Sequence, residues 1–364
     1  MNQEELIINM GPQHPSTHGV LYLELKLNGE IVLDCKPHLG YLHRSIEKIA
    51  ENRTYTQFIP FTDRLDYLAS MNNNLGYCLA VEKLLNVEVS PRAQYIRVIM
   101  AELNRVASHL VAIGTFAQDL GAYATPLFYA FRDREKIVEI FDEICGSRLT
   151  YNYMRIGGLS GDMTAGMDKS IKDFIAYERK MLVEYNELLT YNAIFLARSK
   201  NIGILPKELA LNYSVTGPNL RASGVKWDLR KDEPYLLYDK FNFEVPTGIV
   251  GDAWDRFKVR LEEIAQSLRI IEQALGALPE GNPISKVNRV FRGTGESYMR
   301  TENPRGELGF YIVAEGGFNP YRCKIRSPSF SNLAVLPELI KGLNVSDTVC
   351  VLGSLDIVMG EIDR

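Results

Sequence analysis

The stretch from Ser90 to Gly121 limits the fold more than any other part of the chain. Ser90 is a good N-cap, and Pro91 suits the first helical position, where no amide hydrogen is needed. Beyond them Ile96, Ile99, Met100, Leu103, Val106, Leu110 and Val111 recur at three- and four-residue spacing. That periodicity predicts one apolar helix face several turns long. Gly121 supplies the stop, because glycine readily takes the left-handed conformation that closes a helix. Such a face is buried best against helices of similar length. Similar faces run from Arg64 to Leu85, Pro126 to Ile144, Asp168 to Thr190 and Asp252 to Leu275. The pattern predicts a central bundle of long helices within residues 40–276.

The flanking segments read differently. Leu6-Ile7-Ile8 is a short strand, Val20 to Leu27 alternates apolar and polar side chains, and Glu30 to Cys35 follows Asn28-Gly29, a strong hairpin signal. Residues 1–39 are therefore an N-terminal β region, with His14-Pro15-Ser16-Thr17-His18 as a loop between the first strand and the hairpin. Residues 277–364 are mixed: Gly306 to Val313 reads as a strand after a turn, and Leu333 to Leu343 as a short helix. No repeat, low-complexity tract or Pro/Gly/Ser linker divides the chain. The expectation is one domain over residues 1–364, of class α+β.

A chain of 364 residues has ample length for a core. Its net charge of −4, with no Lys/Arg block, argues against a nucleic-acid partner. No run approaches the roughly 18 apolar residues of a membrane span. The start, Met1 to Glu5, lacks the regions of a signal peptide. These features predict a chain soluble by itself that is free to dock on a membrane complex. The cysteines, Cys35, Cys78, Cys145, Cys323 and Cys350, are scattered and never spaced C-x-x-C. A disulfide framework, a zinc site or a cluster held by this chain would need tighter grouping.

Several residues are candidates for chemistry. His14 and His18 share a loop whose Pro15 and Gly19 disfavour regular structure. They either brace that loop or aim an imidazole into a cavity, where an unperturbed pKa near ~6.5 suits proton exchange. Tyr67, in Phe61-Thr62-Asp63-Arg64-Leu65-Asp66-Tyr67-Leu68-Ala69, is either a packed aromatic or a phenol donor to a carbonyl. Asp119 sits near the end of the Pro91 helix, where a carboxylate opposes the helix dipole and calls for solvent or a cationic partner. Arg132 to Lys136 reads as a solvated helix face, and His109 as a satisfied core histidine. Arg155-Ile156-Gly157-Gly158 lacks the order of a nucleotide-binding loop. For His38 and His43, which flank Gly40-Tyr41-Leu42, nothing local decides between bracing and function.

Taken together, these segments closely resemble the family of D subunits of proton-pumping NADH:quinone oxidoreductase, respiratory complex I. The H subunit of the chloroplast and cyanobacterial enzyme is similar too. The resemblance rests on Gly11 to Gly19, Gly40-Tyr41-Leu42-His43-Arg44 through Glu51-Asn52-Arg53-Thr54, Arg155 to Gly158, Leu220-Arg221-Ala222-Ser223-Gly224, and Gly353 to Arg364. It implies common ancestry with the large subunit of nickel–iron hydrogenases, and hence that fold. Hydrogenases hold their metals through R-x-C-G-x-C and D-P-C-x-x-C. Here those patterns fall on Arg64 to Ala69 and Asp356 to Glu361, so Asp66, Ala69, Val358 and Glu361 stand where four cysteines would. Without soft thiolates, such a metal centre is not expected.

The resemblance further implies that the vacated cavity takes a quinone headgroup. The family's histidine and tyrosine, here His18 and Tyr67, donate hydrogen bonds to the two carbonyls, and its aspartate, here Asp119, pairs with the histidine. His14 supports the loop. The implied activity is two-electron, two-proton reduction of quinone, coupled to proton pumping and absent from the isolated chain. The electron donor is an iron–sulfur cluster in the neighbouring B subunit. Further implied partners are the C and I subunits and the membrane-embedded H subunit, which admits the quinone tail. The implied location is peripheral, on the cytoplasmic side of the cell membrane, or on a thylakoid or mitochondrial membrane in an organelle. The equivalent chain of a ferredoxin- or F420-driven complex acting on quinone or phenazine fits the same residues, because the input module is a separate polypeptide.

Overall fold

The computed structural model describes residues 5–13, 18–122, 124–285 and 290–364. Strands β1 (Glu5–Met10), β2 (Tyr22–Asn28) and β3 (Ile31–His38) form an antiparallel sheet in that order. Along β2 the leucines at 23, 25 and 27 are buried while Tyr22, Glu24 and Lys26 remain half-exposed. The alternation thus does what a two-residue period demands of a sheet with one covered face. Gly29, at a φ of 63°, makes the turn into β3.

Five long helices follow: α1 (Ser70–Leu85), α2 (Pro91–Asp119), α3 (Ala124–Cys145), α4 (Met167–Tyr185) and α5 (Ala253–Gly276). The α2 start is capped as expected, with Ser90 Oγ accepting the Ala93 amide at 3.3 Å. Helices α3 and α5 pack along α2. As a result α2 is buried on its polar side as well as its apolar one. Its charged residues find partners there: Arg97 with Glu82 at 2.6 Å, Glu102 with Arg230 at 3.0 Å, and His109 with Glu263 at 2.9 Å.

Three expectations for the helical region need correction. The helix expected from Arg64 begins only at Ser70. Asp66 Oδ1 accepts the Leu68 amide at 3.1 Å, an aspartate turn that competes with helix, and Asn104 Nδ2 on α2 donates to Leu68 O at 2.9 Å. The helix expected to Thr190 leaves α-geometry at Tyr185 and finishes as a π-turn over Asn186–Thr190. Finally, Arg132 to Lys136 is not wholly a solvated face. Asp133 is fully buried and accepts hydrogen bonds from Tyr177 and Tyr185, each at 2.6 Å.

The C-terminal region contains strands β4 (Thr294–Asn303), β5 (Gly306–Glu315) and β6 (Arg322–Arg326), antiparallel in that order. The sequence pattern marks only β5. The helix expected over 333–343 is split into Pro328–Ala334 and Leu336–Ile340. Helices α6 (Val345–Leu355) and α7 (Met359–Asp363) end the chain. One apolar cluster joins the long helices to the C-terminal sheet. A second joins the inner face of β1–β3 to the last helices, through Leu23, Leu25, Val32, Leu339, Leu352 and Met359. The two ends of the chain therefore share a core. Backbone bonds from Val32 N to Leu343 O and from Gly342 N to Val32 O, at 2.9 and 2.8 Å, fasten them.

Candidate functional site

The first component of the site is made by the last residue of α2 and the loop before β2. His18 Nε2 lies 2.7 Å from Asp119 Oδ2, and both side chains are largely but not wholly buried. His18 adopts a φ of 50°, a left-handed conformation that turns the chain sharply into Gly19. Gly121, at a φ of 80°, closes α2 just beyond Asp119. Asp119 thereby obtains the partner that its position at a negative helix end calls for. His14 lies outside the described residues.

The C-terminal tail seals this pair. Gly353 on α6 lies so close that a Cβ there would sit 2.6 Å from Asp119 Oδ2 and 3.3 Å from both His18 Nε2 and Phe116 Cδ2. Nothing in the local spacing marks Gly353; its one signal is its place at the head of the terminal motif. At the end of α6, Asp356 takes a φ of 51° and breaks the helix. The chain then turns into α7, where a Cβ on Gly360 would lie 2.8 Å from Leu65 O. The tail and the 64–69 turn are thus in contact.

That turn carries Tyr67, which is 37% exposed between the buried Leu65 and Asp66 on one side and Ala69 on the other. The turn is fixed from below: Ser70 Oγ donates to Asp63 O at 3.0 Å, Asn73 Nδ2 to Asp66 O at 3.0 Å, and Asn104 holds Leu68. Burial, reinforced by the Asp66 carboxylate, pushes the Tyr67 hydroxyl up from its ordinary value. It therefore stays protonated and available as a donor.

Between the turn and the tail lies an ion triad. Arg305 Nη1 is 2.6 Å from Asp66 Oδ2, and its Nη2 is 3.0 Å from Asp356 Oδ1. Burial raises the Asp66 carboxyl, with Arg305 opposing and Asp356 adding to the rise. Asp356 goes the other way: burial is outweighed by Arg305 and Arg260, which hold it below the carboxylate range. Glu361 is fully buried and accepts from the Ser329 amide at 3.2 Å and from the Ser329 hydroxyl, leaving Oε1 without a partner among the described residues. Burial, then the charge of Asp66, pushes it up to about 7. Ala69 and Val358 are buried apolar side chains. Among the described residues, no group of three or more His, Cys, Asp or Glu side chains is placed to hold a metal. The chemistry on offer is hydrogen-bond donation and proton exchange.

Other candidates are structural. His109 is buried against Glu263, and burial lowers its pKa. His43 Nδ1 lies 2.8 Å from Asp363 O, and His38 stacks on Tyr22 at 4.6 Å. A groove of about 680 Å³ beside Leu79, Lys83, Gln94 and Tyr235 includes none of the candidate site residues.

Comparison with known proteins decides the family. Residues 119–293 and 287–364 match the family described as "Respiratory-chain NADH dehydrogenase, 49 Kd subunit". The chain belongs to that family. It is 51% identical over 362 residues to the D subunit of NADH-quinone oxidoreductase from Bacillus anthracis, covering 99% of both chains. It is also 54% identical over 365 residues to the NADH-quinone oxidoreductase D subunit designated 2 in Solibacter usitatus, covering 100% of this chain and 98% of the relative. Membership makes this chain part of an oxidoreductase complex, associated with that complex's other subunits. Among the described residues, no helix is long and apolar enough to cross a membrane.

Proposed function

We propose that this chain provides the quinone headgroup site of a proton-translocating NADH:quinone oxidoreductase. The observation that carries the reading is the His18–Asp119 pair at 2.7 Å, sealed by the same tail that touches the Tyr67 turn. Two donors of different chemistry, a phenol and an imidazole, suit the two carbonyls of a quinone. Tyr67 and His18 bind the carbonyls and stabilise negative charge developing on their oxygens. Asp119 accepts from the imidazole and so fixes its orientation. The buried carboxyl of Glu361 offers a further proton-holding group beside the same turn.

Electrons come singly from an iron–sulfur cluster held by a neighbouring B subunit, in keeping with five free cysteines here. The C and I subunits and the membrane-embedded H subunit complete the surroundings, on the cytoplasmic side of the membrane. Reduction is coupled to proton pumping. Residues 1–364 act as one domain of the kind found in the nickel–iron hydrogenase large subunit, with the metal ligands replaced at Asp66, Ala69, Val358 and Glu361.

His18→Ala and Asp119→Asn test this in the assembled complex. Quinone reduction should fall with both, more with His18→Ala, while NADH oxidation by an artificial acceptor upstream of quinone stays normal. Unchanged quinone kinetics in a fully assembled His18→Ala complex would contradict the proposal.

A further inference from the structure

Arg305 sits in the turn between β4 and β5, where it is 1% exposed. Its contacts reach three segments far apart in sequence. Nη1 donates to Asp66 at 2.6 Å and to Ser108 Oγ of α2 at 3.0 Å, while Nη2 donates to Asp356 at 3.0 Å. The turn that carries Arg305 is anchored in its own right, since Asn332 Nδ2 donates to Arg305 O at 3.0 Å. The guanidinium does not grip one carboxylate with both nitrogens. Each nitrogen holds a different one, which makes Arg305 a spacer between two chain segments.

Those two segments carry the two sides of the site. Asp66 precedes Tyr67, and its other oxygen ties the turn by accepting the Leu68 amide. Asp356 ends α6 three residues beyond Gly353, the residue pressed against His18 and Asp119. Among the described residues, no other cation stands within hydrogen-bond distance of either carboxylate; Arg260 is 3.8 Å from Asp356. A buried ion pair is weak as a source of stability, since an apolar replacement often does as well. It does fix distance. Donors misplaced by about an ångström can cost a catalyst roughly 100-fold.

We propose that Arg305 is a positioning residue for quinone reduction, setting the span between Tyr67 and His18 by clamping Asp66 to Asp356. The inference rests on the quinone reading above. It deepens that reading by naming the group that holds the two donors in register. Lysine at this position keeps the charge but presents one nitrogen, which cannot bridge two carboxylates in the same geometry.

The test is a double-mutant cycle between Arg305→Lys and Tyr67→Phe in the assembled complex, with assembly verified by NADH oxidation through an upstream artificial acceptor. Arg305→Lys should lower the kcat for quinone roughly 10- to 100-fold, with KM for a long-tailed quinone changed much less. Tyr67→Phe should cost roughly 2- to 10-fold with Arg305 present. In the Arg305→Lys background it should cost almost nothing, because a misaligned hydroxyl has little left to lose. If Arg305→Lys fails to assemble, the same cycle with the near-isosteric Asp66→Asn, which weakens the clamp from its other end, decides the matter. An equal Tyr67→Phe penalty in both backgrounds would overturn the clamp and leave the quinone reading standing. No penalty in the parent background would overturn the quinone reading itself.

Discussion

Gly353 is a helical glycine at which alanine should raise helix propensity by about 1 kcal/mol. Here the added methyl group meets Asp119 Oδ2 at 2.6 Å. Gly353→Ala should therefore push Asp119 away from His18 and lower quinone turnover several-fold, with upstream NADH oxidation preserved. Steady-state kinetics on the assembled complex check this; unchanged turnover would mean the contact is slack. His18, Tyr67 and Asp119 are recognisable as candidates because their chemistry and their motifs are local. The bond between His18 and Asp119 spans 101 positions, and no local period records it. No local spacing singles out Gly353, which is marked only by heading the terminal motif, or Arg305, since a glycine and an arginine acquire their roles only from what packs on them.

Between elements, the contact of α3 with α4 encloses an unusual pair of acids. Asp133 on α3 is satisfied by Tyr177, Tyr185 and Arg132, whereas neither carboxyl oxygen of Glu178 on α4 has a hydrogen-bond partner among the described residues. Burial, with Asp133 adding and Arg132 opposing, raises Glu178 from 4.5 to about 8. The folded pKa lies above the unfolded one, so this group's contribution is fully present below about pH 4.5 and is lost as pH rises to about 8. Glu178→Gln should remove that decline, worth on the order of a few kcal/mol across the interval. Thermal unfolding of parent and variant over this range measures the difference, and parallel pH profiles would contradict it. In sequence, the long helices are clear because their apolar periods are long. The Arg132–Lys136 run misleads because charge reads as exposure. The start of α1 misleads because Asp66 and Asn104 override helix propensity, the latter through a hydrogen bond from another element. Strand β4, with sequence TGESYMRTEN, has little alternation to read, and its partner β5 and the helix beneath it fix its place.

At the scale of the molecule, the N-terminal sheet and the last helices share one apolar cluster, and the site lies where that cluster meets the long bundle. The α+β class and the strand–bundle–mixed order are legible because each region has its own period. That the 64–69 turn meets the C-terminal tail is foreshadowed only by the resemblance, which implies a fold in which those two segments would share a metal centre. Here the contact is kept by Arg305, Gly353 and Gly360. The central claim is that this meeting point presents Tyr67 and His18 to a quinone. Tyr67→Phe tests it most directly, because the change keeps the ring and its packing and deletes one donor. The measurement is kcat/KM for a short-tailed quinone in the assembled complex, with upstream NADH oxidation as the control. A fall of roughly 2- to 10-fold, or more where charge builds on the carbonyl oxygen, is the predicted result. An assembled Tyr67→Phe complex with unaltered quinone kinetics would contradict the account and leave Tyr67 a packed aromatic.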